Sequence, residues 1–121
     1  NNLSTDNSIH EQNIEAGHSI LRKFRDLVNK NYNTWHSAGK YADALNISPD
    51  HLNRSVKSLI GKTAKEYIQS RIIIAAKRLL FFSDLSTKEI AHEMGFEEAS
   101  NFSNFFKKHS GQSPSQFRRN T

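Results

Sequence analysis

Residues 51–67 read HLNRSVKSLIGKTAKEY, and fifty positions further on residues 101–117 read NFSNFFKKHSGQSPSQF. Leu52 stands over Phe102, Val56 over Phe106, Lys57 over Lys107, Gly61 over Gly111, Thr63 over Ser113 and Tyr67 over Phe117. The match extends upstream at an offset of 49, where SAGKYADALNIS (37–48) lies over STKEIAHEMGFE (86–97). There Ser37 meets Ser86, Ala42 meets Ala91, Leu45 meets Met94 and Ile47 meets Phe96. The repeat decides how Gly61-Lys62-Thr63 is read. That string could be the tail of a phosphate-binding loop, G-x-x-x-x-G-K-[ST], but the loop's first glycine would fall at Val56. The residues before Gly61 also have helical rather than strand spacing. Gly61 and its counterpart Gly111 are helix stops, and Thr63 and Ser113 cap the helices that follow.

Helix starts are marked throughout. Thr63-x-x-Glu66, Ser86-x-x-Glu89 and Ser113-x-x-Gln116 are capping boxes, in which side chains and backbone N–H groups satisfy one another reciprocally. Ser48-Pro49 and Ser113-Pro114 place a capping serine before a proline that needs no N–H partner at the first helical position. No segment alternates with period two. The spacing predicts an all-α chain with helices over about 18–31, 37–45, 48–60, 63–82, 86–94, 98–109 and 113–119. Residues 1–17, rich in Asn and Ser, read as a linker or disordered tail. Each repeat is a short helix, a turn at Asn46 or Gly95, and a longer helix with a buried stripe: Leu52, Val56 and Leu59 in one, Phe102 and Phe106 in the other. This is a helix-turn-helix, twice, with a first motif at 37–60 and a second at 86–109. The connecting helix 63–82 carries Ile68, Ile72, Ala75 and Leu79 in one stripe and Tyr67, Ile74 and Phe81 elsewhere, so it is expected to pack on several neighbours.

Charge points to the partner. Residues 1–20 hold Asp6, Glu11 and Glu15 and no basic residue, leaving nine acidic against 17 basic residues in the remainder, a net charge of +8. After Glu98 only Lys107, Lys108, Arg118 and Arg119 are charged. A basic body of this kind fits a polyanion, nucleic acid first. The absence of cysteine removes disulfides and thiolate metal sites, and with no membrane-length apolar run and no signal peptide in the sequence the expected setting is the cytoplasm.

The residues quoted above resemble the DNA-binding domain of the AraC/XylS transcription regulators over about 18–120. The most specific part is IAHEMGFEEASNFSNFFKKHSGQSPSQFRR (90–119); ALNISPDHLNRSVKSLIGKT (44–63) resembles the first motif and SRIIIAAKRLL (70–80) the connecting helix. The resemblance implies sequence-specific binding of duplex DNA, with the helices 48–60 and 98–109 as recognition helices. It also implies RNA polymerase as a partner and an amino-terminal sensing or dimerisation domain in a parent protein, unless the chain is a stand-alone member. By this likeness the first recognition helix reads bases with Asp50, His51, Asn53 and Arg54, and the second with Ala99, Ser100, Ser103 and Asn104. Lys57, Lys107 and Lys108 fall to phosphates. Arg54 can fork onto guanine and Asn53 can pair with adenine, whereas the family commonly has arginine where this chain has Asn104.

Other readings carry less. None of the six histidines pairs with another at i, i+4, so neither a metal nor another cofactor is expected. No nucleophile motif appears, which argues against an enzyme. The eight phenylalanines mostly recur at core spacing rather than as stacking platforms for single strands. Trp35 could pack under the first helix or face solvent, and Arg118 and Arg119 could reach phosphate or form a solvated end. The alternative function is a helical protein-interaction module, or a nucleic-acid binder without sequence preference.

Overall fold

The computed structural model describes the backbone of residues 2–121 and the side chains of residues 11–121. These form seven helices and no strand: α1 (Asn2–Asn31), α2 (Ala38–Ala44), α3 (Pro49–Ile60), α4 (Ala64–Phe82), α5 (Thr87–Glu93), α6 (Ala99–Ser110) and α7 (Pro114–Arg119). α2 to α7 all agree with the expected spans to within a residue at either end. In α4, α5 and α7 both halves of the capping box are made. Ser48 accepts from the His51 N–H at the start of α3, with Pro49 in the first turn. Gly61 and Gly111 end α3 and α6 in the left-handed region, at φ 74° and 83°.

The start of α1 differs from the expectation. The helix begins at Asn2 instead of near His18, so the tail expected over 1–17 is helical from residue 2 onward; Asn1 and the side chains of 2–10 lie outside the described residues. Poverty in apolar residues predicts that a segment packs on nothing, which is a different matter from whether it is helical. Residues 11–16 are indeed exposed. No proline interrupts the stretch, and a helix already nucleated by a packed carboxy-terminal half propagates at little cost.

One core runs through the molecule. Leu21, Phe24 and Val28 of α1, Tyr41 and Ala42 of α2, and Leu52 and Val56 of α3 are buried at one end; Ile90, Ala91, Met94, Phe102 and Phe106 of the second repeat are buried at the other. α4 joins them and packs against all six other helices. Its Ala64, Ile68, Ile72, Ile73, Ala75, Ala76 and Leu80 are buried. Ile74 and Phe81 are exposed instead of packed against a further neighbour, and Phe82 is 80% exposed. Six of the eight phenylalanines are buried or lie against the core. Tyr41 is fully buried, its hydroxyl donating to the Trp35 carbonyl at 2.9 Å, and burial pushes its pKa up to about 12. Trp35 is half-buried, edge-on to the Tyr41 ring at 5.3 Å.

Candidate nucleic-acid interface

Each repeat folds as a short helix, a left-handed turn and a long helix. The turn residues are Asn46 at φ 58° and Gly95 at φ 84°. The hydrogen bonds around them are duplicated: Asn46 N–H donates to Asp43 O and Ile47 N–H to Ala42 O, as Gly95 N–H does to His92 O and Phe96 N–H to Ala91 O. Ala42 and Ala91, at matching positions of the two short helices, are both buried.

With Leu52 and Val56 buried, α3 turns Asp50, His51, Arg54 and Lys57 to solvent. With Phe102 and Phe106 buried, α6 exposes Ser100, Asn104, Lys107 and Lys108 in the same way. Asn101 is exposed beside them, and the offset of fifty that pairs it with His51 is the signal that would have added it to the expected set. Ala99 and Ser103 are half-buried, with Ala99 packed on the core, so both stand back from the open face.

Asn53 is placed differently from what adenine pairing needs. Its Oδ1 accepts from the Ala64 N–H at 3.0 Å, tying the middle of α3 to the first residue of α4. A bidentate contact would use that same oxygen. The second repeat shows why the tie is local. Ser103 takes the place of Asn53, and the residue opposite is Pro114, which has no N–H to satisfy.

Arg118 is also committed to the fold. Its Nε donates to Leu80 O at 2.9 Å, Nη1 to Leu85 O at 2.6 Å, and Nη2 to Ser83 O at 3.2 Å and Leu79 O at 3.4 Å. One guanidinium thus gathers four carbonyls at and just beyond the end of α4 and docks α7 there; of the two arginines only Arg119 is exposed. His109 stacks on Phe105 at 4.6 Å on the exposed side of α6. Partial burial, then Lys108 and Lys65, hold its pKa below the usual 6.5.

The open faces of α3 and α6 are polar and net basic, and belong to two copies of one helix-turn-helix unit. Residues 41–120 match the protein family described as a helix-turn-helix domain. The chain belongs to the AraC/XylS family of DNA-binding transcription regulators. It is 30% identical, over 108 residues, to the uncharacterized HTH-type transcriptional regulator YijO of Escherichia coli K12, covering 89% of this chain and 38% of that protein. It is 34% identical to the bifunctional transcriptional activator/DNA repair enzyme AdaA of Bacillus subtilis, covering 77% of this chain and 44% of AdaA. The chain therefore spans less than half the length of these relatives. Among solved structures, the carboxy-terminal domain of AraT, a response regulator from Geobacillus stearothermophilus, superimposes with a TM-score of 0.79 at 31% identity, covering 84% of this chain and 85% of that one. Among the described residues no helix is long and apolar enough to cross a membrane, and no three His, Cys, Asp or Glu side chains cluster as metal ligands would.

Proposed function

We propose that this AraC/XylS-family domain binds duplex DNA sequence-specifically, with α3 and α6 in successive major grooves and no catalytic role of its own. The observation that carries the proposal is the pair of matched motifs on one connector. α4 has 19 residues, about 28 Å at ~1.5 Å per residue, near the ~34 Å repeat of B-DNA. Asp50, His51 and Arg54 read bases in one subsite, and Ser100, Asn101 and Asn104 in the other; Lys57, Lys107 and Lys108 hold phosphates. In the parent protein the domain works beside a sensing or dimerisation domain and acts on RNA polymerase in the cytoplasm, a reading supported by the greater length of the relatives and their names as regulators. The test is selection of genomic fragments on the immobilised domain, then titration of the enriched and scrambled duplexes at several salt concentrations. Specific binding should exceed random binding by about a thousandfold or more near physiological salt. Identical curves at every salt would leave only a nonspecific binder.

A further inference from the structure

Besides α4, a second connection joins the two repeats: the segment between α1 and α2, residues 32–37. The Asn33 carbonyl lies against Gly95, the turn residue of the second motif, so closely that a Cβ there would sit 2.3 Å from the oxygen. Two residues before Phe96, Met94 O accepts at 2.7 Å from His36 Nε2, which must therefore carry the proton. The His36 ring lies 4.9 Å from that of Phe96. The segment is itself held at its other end. Thr34 and Trp35 N–H groups donate to Asn31 O, and Tyr41 donates to Trp35 O. Arg71 of α4 donates from Nε to Asn29 Oδ1 at 3.0 Å and lays its guanidinium 4.4 Å over the Tyr32 ring. The extensively packed helix pairs that cross between the repeats all involve α4, so this segment is a separate restraint between them.

We propose that residues 32–37 are a brace that fixes α6 relative to α3, and that His36 and Gly95 are positioning residues that select the spacing between two DNA subsites. The spacing clause rests on the DNA-reading proposal above. One inserted base pair moves a subsite by about 3.4 Å and rotates it by roughly 34°, which a braced pair of helices cannot follow and a hinged pair can.

The chain has no cysteine, so Ser58→Cys on α3 and Lys88→Cys on α5 give a unique pair of spin-label sites, both exposed. Pulsed electron–electron distance measurements on the free protein should give a narrow distribution in the wild-type background. Gly95→Ala and His36→Phe should broaden or shift it; the latter keeps a ring on Phe96 and loses the donor to Met94. Gly111→Ala is the control, because its φ of 83° imposes the same backbone strain as the 84° of Gly95 while a Cβ there meets nothing within 4 Å. Equal distributions in Gly95→Ala, His36→Phe, Gly111→Ala and wild type would overturn the brace. On selected duplexes with one base pair inserted or removed between subsites, wild type and Gly111→Ala should lose about tenfold or more in affinity, and the two brace variants less than about threefold. A wild type without spacing preference, paired with a narrow distance distribution, would sink the DNA-reading clause while the brace stands.

Discussion

Asn53 and Ser103 occupy one position in two copies of a motif, yet their duties follow the residue opposite. Ala64 has an N–H to satisfy and Pro114 has none. Asn53→Ala would leave the N–H of a fully buried residue without its partner, which costs about 1–3 kcal/mol. Urea unfolding should show that loss, with no relaxation at any one base pair once binding is compared at equal folded fraction; selective loss of adenine preference would return Asn53 to the reading set. Arg54 has no such duty. Arg54→Ala should cost about 1–3 kcal/mol on the cognate duplex and relax preference at one base pair, and Asn104→Ala less, because an amide cannot offer guanine the same fork. Lys107→Ala should weaken cognate and random duplexes alike and lower the salt slope by about one. Titration of the three variants on matched and singly substituted sites decides this, and a larger loss of discrimination from Asn104→Ala than from Arg54→Ala would reverse the ranking. Arg118→Lys should lose on the order of 3 kcal/mol in thermal or urea unfolding, since an ammonium cannot reach four carbonyls as the planar fork does. Which polar residues face outward was legible from the stripe. That Asn53 and Arg118 are spent on the fold was not, because both partners are backbone groups brought near only by tertiary packing.

At the scale of the element, helix starts were the most legible feature, since a capping box is a local interaction written within four residues. The three boxes are not equivalent in charge. The Thr63 N–H donated to Glu66 Oε1, then the Thr63 side chain beside that carboxylate, hold the Glu66 carboxyl below the ordinary 4.5, with Lys57 and Lys62 adding to the effect. Ser86 does the same for Glu89. At the matching position of α7, Gln116 makes the box without a charge. A carboxyl whose folded pKa is lowered contributes stability that is present above its unfolded value and lost as pH falls through the folded value. The wild type should therefore lose stability as pH drops below about 4.5, and the double variant Glu66→Gln/Glu89→Gln should show a shallower acid limb. Urea midpoints measured down this range test it, and parallel limbs would show that the two boxes are not coupled to protonation. Where α1 begins was illegible for the complementary reason. Residues 11–16 are exposed, and neither an apolar stripe nor a proline in the sequence marks the boundary.

At the scale of the whole molecule, the duplication and the connector were visible in the sequence, because a repeat is a comparison of the chain with itself. The contact of Asn33 with Gly95 was not, since a backbone carbonyl leaves no trace in residue type; only the glycine's left-handed turn could be foreseen. Two unlike faces on one frame have a consequence for the DNA. α3 offers a carboxylate, an imidazole and a guanidinium, whereas α6 offers hydroxyl and amide groups, so under the proposed DNA reading the two subsites should differ in sequence. On that reading a single chain supplies both recognition helices, and a second chain related by a twofold axis is not required. The domain should sediment as its 13.8 kDa monomer without DNA and bind one asymmetric duplex at one chain per site. With α6 held in one orientation by α4 and the proposed 32–37 brace, inverting one subsite in place should reduce affinity as much as scrambling it, about tenfold or more given the roughly 1–3 kcal/mol carried by each good base contact. Sedimentation with and without duplex, and titration against native, inverted and scrambled second subsites, are the measurements. A tight dimer in the absence of DNA, or a palindromic minimal site that needs two chains, would show that the two faces are not used together.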